Sequence, residues 1–471
     1  MSSTQASDEL ISDPLYPRLK QHVLGSTGLA YYEDKDTELA HRIGGRLTCL
    51  GLRDCKDYLN VLCESLRGPA ELDALIAAIT IGETYFFRHQ EHFDSLRDLV
   101  LPGLAARNQE HRSLRIWSAG CADGPEPYSL AILLKREMAR QFSGWQATIL
   151  GTDINRHCLA RAREGKFEEW AFRSTPDDVR RSCFQSDGKR WGILPEYREG
   201  VSFQYHNLVE HAFPSLVNNL CKFDLIVCRN VMIYFEADRM RKMILQFYEC
   251  LAPGGWLLVG PTEPNMTFFS SFRTVNAPGV TLYQKPDQTV PAPLPVAPRG
   301  TGDEVSAPLP LSTFAISQAV VARPAPYRPP RSNIDSASSQ ALSEVRRHAD
   351  RGAWENAATC CEELLKKDQR NSQVHFYYGL ILDQMQRGPE AERSLRRAIE
   401  LDRQSVLPHY YLGLFLQSHS DLREAARLFE RVLKLLSHRS DADVFADADG
   451  MTAAELKILV KMHIETLEEH G

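Results

Sequence analysis

The stretch Ile116-Trp-Ser-Ala-Gly-Cys-Ala-Asp-Gly-Pro-Glu-Pro-Tyr-Ser-Leu-Ala-Ile132 decides the fold. It starts as a short apolar run, passes through small residues from Ser118 to Gly124, and takes up a helical pattern from Glu126. Strand, tight turn and helix in that order open a nucleotide-binding βαβ unit. Small side chains at the bend let the backbone come close to a bound cofactor. Glycine stands only at Gly120 and Gly124, so the dinucleotide fingerprint is incomplete. Taken alone, the stretch suits a simple αβ corner of a doubly wound sheet equally well.

Downstream the pattern alternates strand and helix as far as Lys285, with candidate strands at Leu114–Ser118, Ala147–Thr152, Phe223–Cys228, Trp256–Gly260 and Val280–Tyr283. Such alternation predicts a mostly parallel sheet covered on both faces. Asp153 falls at the carboxyl edge of the second strand, where an acid can accept hydrogen bonds from both hydroxyls of a ribose. The alternative is that Asp153 caps the next helix. Arg229-Asn230 interrupts an apolar run where the third strand should end, and buried polar groups need partners, so this pair is expected to line a site. Between Gly165 and Gln204 the chain is polar and irregular, with Asp187-Gly188 as a hairpin signal, and reads as an insertion over the site.

Upstream, residues 14 to 105 read as helices. Leu39, Ile43, Leu47 and Leu50 recur at helical spacing, and Gly51 is placed to stop that helix. Arg42 and Arg46 share a face; as residues alone they suit a solvated surface. Ile79-Thr-Ile-Gly-Glu-Thr-Tyr-Phe-Phe-Arg88 packs aromatics and an arginine just ahead of the βαβ unit. Its plainer reading is a joining helix with core aromatics. The sharper one puts Thr84 and Arg88, four apart on a helical face, in the cofactor site.

After Lys285, eleven prolines fall between Pro286 and Pro330, which marks a linker. Beyond it Gly379 recurs as Gly413, Ala391 as Ala425, Leu395 as Phe429 and Leu401 as Leu435, every interval being 34 residues. That is the tetratricopeptide period. Two copies are clear and a third is fainter; Thr452-Ala-Ala-Glu455 then opens a closing helix. A peptide-binding groove and a self-contained spacer or dimerisation module both fit these repeats. The chain thus divides into an all-helical domain at 14–105, a Rossmann-like α/β domain at 106–285 with a subdomain inserted at about 165–204, a linker at 286–335 and a helical repeat domain at 336–471.

A net charge of −6 gives no reason to expect a nucleic-acid partner. The N-terminus has neither the basic nor the apolar region of a secretory signal, and no apolar run approaches the length of a membrane span, so direct membrane insertion is not expected. Eleven cysteines without C-x-x-C pairs imply reduced thiols and a cytoplasmic setting, and no metal site is expected.

Together these residues resemble the CheR family of chemoreceptor methyltransferases over residues 14–285, here with a tetratricopeptide extension. The resemblance rests on Glu83-Thr84-Tyr85-Phe86-Phe87-Arg88, on Trp117-Ser118-Ala119-Gly120-Cys121 with Glu126-Pro127-Tyr128-Ser129, on Thr152-Asp153-Ile154, and on Cys228-Arg229-Asn230-Val231-Met232-Ile233-Tyr234-Phe235. It implies a doubly wound methyltransferase fold and methyl transfer from S-adenosylmethionine to glutamate side chains on a receptor's cytoplasmic helices. It also implies cofactor contacts at Thr84, Arg88, Gly120, Glu126, Asp153, Asn207, Leu208, Arg229 and Asn230. Arg88, Arg229 and Tyr234 would act at the reacting end. Arg42 and Arg46 match a basic helix that faces the acidic receptor, which reverses the surface reading. The enzyme would be recruited to membrane receptor arrays, and the repeats would bind a protein partner of unknown identity.

Two positions depart from the family pattern: Gly82 stands where Asn is usual, and Pro125 where a second acid is usual. The insertion around Phe184–Tyr197 looks compact beside relatives that dock a receptor's C-terminal pentapeptide, so no such tether is expected. Two other readings stay open at this level: a small-molecule methyltransferase of the same fold, and a non-catalytic repeat scaffold with a decayed cofactor site.

Overall fold

The computed structural model describes residues 3–287 and 335–468, apart from positions 66, 81, 212, 265–266, 351–352, 386, 420, 442 and 446–450. The proline-rich linker expected at 286–335 lies almost wholly outside the described residues.

The helices Tyr16–Thr27, Asp36–Leu50, Cys55–Cys63 and Gly68–Ile79 form the first unit. Leu39, Ile43 and Leu47 are buried on the inner face of the second, in a core shared with Leu19, Val23, Tyr58 and Leu75. Gly51 ends that helix at φ 69°, and its N–H bonds back to the carbonyls of Leu47 and Thr48. This left-handed stop is one a side chain resists.

The α/β unit follows. Strands β1 (Ser113–Ala119) and β2 (Gln146–Asp153) come first. β3 (Lys166–Phe167), β4 (Phe184–Ser186) and β5 (Trp191–Ile193) make a small separate sheet. β6 (Val201–Tyr205), β7 (Phe223–Cys228), β8 (Leu251–Val259), β9 (Arg273–Ala277) and β10 (Val280–Gln284) complete the main sheet. Its order is β6-β2-β1-β7-β8-β10-β9. Pairs among the first five strands are parallel, and β10 is antiparallel to both its neighbours. Side chains alternate between the two faces. Leu114 and Ile116 join one buried cluster, while Trp117 and Ala119 join the other, on the opposite side of β1. The strand order reverses at β1, which opens a crevice at the carboxyl ends of β1 and β7.

Three sequence expectations change here. β6 closes one edge of the main sheet, so the insertion ends before Val201 rather than at 204. The strand expected at Trp256–Gly260 starts earlier, at Leu251, and runs to Val259 with a bulge near its start. The stretch 82–89 is extended and turning, not helical, with Phe87 and His89 at φ 54° and 60°. Its aromatics explain the difference. Phe86 is buried against Phe167, Phe172 and Phe184 of the small subdomain, and its N–H bonds to the Ala171 carbonyl. Phe87 N–H bonds to Ser129 Oγ. Tertiary partners on two sides hold the backbone open where a helix would satisfy it internally.

The last third is a tetratricopeptide array. The helix pair Ser372–Gln384 and Gly388–Leu401 is followed 34 residues on by Val406–Ser418 and Leu422–Leu436. Asp335–Asp350 and Trp354–Lys367 precede them, and Ala453–Glu468 closes the stack. A Cβ on Gly379 would lie 2.7 Å from Leu395, and one on Gly413 2.7 Å from Phe429. These repeated glycines set how closely each helix pair crosses.

Candidate cofactor-binding and active site

One pocket gathers Thr84, Arg88, Gly120, Glu126, Asp153, Asn207, Leu208, Arg229, Asn230 and Tyr234. It lies at the carboxyl ends of β2, β1 and β7, where the strand order reverses. Its opposite wall comes from the N-terminal helical unit, through Thr27, Leu29, Tyr31 and Tyr32.

The turn after β1 is what brings the backbone to the pocket. Gly120 N–H and Cys121 N–H both bond to the Thr152 carbonyl, at 2.7 and 2.9 Å, folding the turn across β2. Gly120 has φ 76°, and a Cβ there would stand 2.3 Å from Val231 Cγ2. Glycine is therefore required twice, for the dihedral and for the approach of the turn after β7.

Asp153 ends β2 and is tied down by backbone donors. Its Oδ2 accepts from Ala122 N–H at 2.9 Å and its Oδ1 from Asn155 N–H at 2.7 Å. Desolvation raises its pKa to about 6 in spite of these bonds. The helix-cap alternative is excluded, because Asn155 does that work: its Oδ1 accepts from His157 N–H and Cys158 N–H.

Arg229 ends up inside the wall. It donates to Glu126 Oε2 at 3.3 Å, to the Arg88 carbonyl and to His89 Nδ1 at 2.9 Å, and its side chain is 2% exposed. Glu126 also accepts from Ser118 Oγ at 2.7 Å; burial raises its pKa while Arg229 opposes the rise. The structure adds a positioning role to the one expected of Arg229. Its terminal nitrogens bond to Glu126, the Arg88 carbonyl and His89 and so hold those walls in place, while its Nε is buried in the same pocket without a hydrogen-bond partner among the described residues. Arg88 is differently placed: Nη1 donates to the Glu83 carbonyl at 2.8 Å, and Nε is buried without a hydrogen-bond partner among the described residues. His206 Nε2 and Asn230 Oδ1 are buried and unpartnered in the same way. A wall whose buried donors and acceptors find no partner among the described residues is arranged for a polar ligand.

Tyr234 meets Tyr31 edge-on at 5.8 Å, with exposed Ile233 beside it at the mouth. The reading from sequence did not include Tyr31, Tyr32, Ala122, His206 or Glu263. Glu263 is buried after β8 and accepts N–H bonds from Gly260, Asn230, Val231 and Met232 at 2.5 to 3.1 Å. It fixes the turn that carries Asn230 and Tyr234. A lone acid in Gly260-Pro-Thr-Glu263 gives no pattern that would have singled it out.

Arg42 and Arg46 do not line the pocket. Arg42 is exposed on the helix Asp36–Leu50. Arg46 grips Glu71 through Nε and Nη2 at 2.9 and 2.7 Å, and Tyr58 donates to the same carboxylate at 2.7 Å. This corrects the expectation for Arg46, whose charge is neutralised within the helical unit instead of being presented to a partner.

Residues 82–279 match the family model of the CheR methyltransferase, SAM-binding domain. The chain is 34% identical over 249 residues to a chemotaxis protein methyltransferase of Borreliella burgdorferi, covering 52% of this chain and 86% of that protein. It is 37% identical over 192 residues to a chemotaxis protein methyltransferase of Listeria innocua, covering 41% and 69%. Over 405 residues it is 28% identical to a probable biofilm formation methyltransferase of Pseudomonas aeruginosa, covering 83% of this chain and 91% of that one.

Proposed function

The chain belongs to the CheR methyltransferase family, and we propose that it methylates glutamate side chains on the cytoplasmic helical domain of methyl-accepting receptors, with S-adenosylmethionine as donor. When bound, the donor supplies an electrophilic methyl group on a sulfonium. The unpartnered atoms of the pocket suit its polar ends, Arg88 Nε offering a donor to a carboxylate and Asn230 Oδ1 an acceptor to an ammonium, while Asp153, held by backbone donors, has acceptor capacity left for ribose hydroxyls. Gly120 and Ala122 bring main chain to the same wall.

A glutamate carboxylate is ionised at neutral pH, its ordinary pKa being about 4.3. It is a competent nucleophile without a general base. The protein's task is then to exclude water, align the carboxylate and hold it at attack distance. Arg88 and Tyr234 are the side chains for this, an arginine and a phenol at the mouth beside exposed Ile233. A firm ion pair would stabilise the ground state and slow transfer, so Arg88 orients rather than clamps. The observation that supports the reading is that Arg88, Asp153, Asn230 and Tyr234 line one pocket, in which Arg88 Nε and Asn230 Oδ1 are buried without partners among the described residues.

The receptor is recruited through surfaces outside the pocket, and exposed Arg42 is a candidate contact for its acidic helices. Among the described residues no helix is long and apolar enough to cross a membrane.

Radiolabelled methyl transfer to membranes carrying candidate receptors tests the proposal. The expected label sits on receptor and is released as methanol in mild base, as a carboxyl ester must be. A base-stable label, or label confined to small molecules, overturns it.

A further inference from the structure

The crossover from β6 to β7, residues 206–222, differs from the others. β1 and β2 are joined through the helix Pro125–Ile132, β2 and β6 through Arg156–Glu164, and β7 and β8 through Ala237–Cys250. No helix is found among the described residues of 206–222. A parallel sheet ordinarily needs such a helix to cover it.

The side chains of this crossover split between two cores. Phe213 and Leu220 pack into the sheet with Trp117, Phe223 and Phe247. Leu216, Val217 and Cys221 face the other way, into the buried cluster of the repeat array with Trp354, Phe376 and Tyr377. They are 5%, 1% and 2% exposed. Polar contacts fix the register. Leu216 N–H donates to Asp350 Oδ1 at 2.8 Å, Tyr411 OH donates to the Val217 carbonyl, and Lys222 Nζ donates to the Gln384 carbonyl at 3.2 Å. Lys222 also lies 4.3 Å over the Trp354 ring. Three successive helix pairs of the array thus grip one loop.

The same crossover forms part of the donor pocket at its other end, through His206, Asn207 and Leu208. The His206 ring packs 5.4 Å from Phe213 and 5.9 Å from Trp117. Seven residues of sequence, 209–215, therefore separate the pocket wall from the docked turn, and the His206 ring packs against Phe213 within that stretch.

We propose that the tetratricopeptide array is docked in cis as the cover of this helix-less crossover, and that its docking holds the His206–Leu208 wall in its donor-binding form. The array is then part of the catalytic unit. The contact is at the amino end of β7, and strand length puts it roughly 20 Å from the cofactor end. A partner held by the remaining faces of the array would sit at a fixed place relative to the sheet rather than on a loose tether.

The test uses the full chain with a protease site placed within 288–334, cut after purification. Native halves are expected to co-elute at micromolar concentration and to bind S-adenosylhomocysteine as the uncut chain does. Val217→Asp should let the cut halves separate and raise the Kd for S-adenosylhomocysteine at least fivefold. Trp354→Ala, which leaves the sequence of the methyltransferase half unaltered, should do the same and covers the case in which Val217→Asp fails to fold. Separation of the native halves, or cut variants that stay together, would overturn the docking. Separated halves with unchanged affinity would overturn the coupling to the pocket. Neither readout depends on which acceptor is methylated.

Discussion

Asp153→Asn separates affinity from stability at one position. If the carboxylate holds ribose hydroxyls, the neutral amide forfeits charge-assisted bonds worth about 1.5–3 kcal/mol, a rise of about 10- to 150-fold in Kd for S-adenosylhomocysteine. The empty protein should behave differently. Burial raises the Asp153 pKa to about 6 from 3.8, so the folded state binds more protons than the unfolded one between those values. The stability this confers is present below 3.8 and lost as pH rises through 6. At pH 7.5 ionising the side chain therefore costs the fold about 3 kcal/mol, which Asn removes. Asn in turn offers one acceptor oxygen to two donors, Ala122 N–H and Asn155 N–H. Leaving one of them unmet costs about 1–3 kcal/mol. The two nearly cancel, and the variant should melt within a few degrees of the native protein. Calorimetric titration from pH 5 to 8 gives the deciding profile: native affinity falls below pH 6 as the carboxyl protonates, while the Asn variant is flat. A variant that binds within threefold of native at pH 7.5, or that keeps the native pH profile, would refute the assignment of Asp153.

Gly120→Ala forces a Cβ to 2.3 Å from Val231 at φ 76°; backbone strain and overpacking together should cost about 2–5 kcal/mol, seen as a lower melting temperature with weakened S-adenosylhomocysteine binding. Glu263→Gln puts an amide NH₂ against backbone donors now bonded to a carboxylate, so donor affinity and kcat should both drop at temperatures where circular dichroism reports an intact fold, and Glu263→Asp should not restore them because its reach is shorter. Arg46→Ala leaves Glu71 buried with Tyr58 as a neutral partner and should destabilise by about 3 kcal/mol without changing KM for the receptor; a KM change at unaltered stability would contradict this. Burial holds His92 and His206 down to about 3 and His463 to about 4. Because each pKa is lowered in the fold, stability is complete above 6.5 and falls as pH drops toward those values, by roughly 1 kcal/mol per pH unit for each histidine, and His206→Phe should flatten the acid limb of a urea-denaturation series.

What the sequence alone determined was whatever repeats at short range. The alternation through Leu114–Ala119 marked β1, Gly51 marked a helix end, and the 34-residue interval marked the array, because each pattern reflects a local backbone geometry with its own period. Asp153 and the pair Arg229-Asn230 stood out for a related reason, since charged or polar types at strand ends have few structural uses there, whereas Glu126, Asn207, Leu208 and Tyr234 came only from the resemblance to the family. Tertiary structure alone decided what each group faces. The extended form of 82–89 depends on Phe167, Phe184 and Ser129; the neutralising of Arg46 depends on Glu71; the occupation of Arg229 depends on Glu126 and His89. Glu263 gained its role only when the turns after β7 and β8 came together. The docking of Leu216 and Val217 joins residues more than a hundred positions apart in the chain, where no periodicity reaches. Burial of a side chain against a distant surface is a property of the packed molecule, and local pattern carries no record of it.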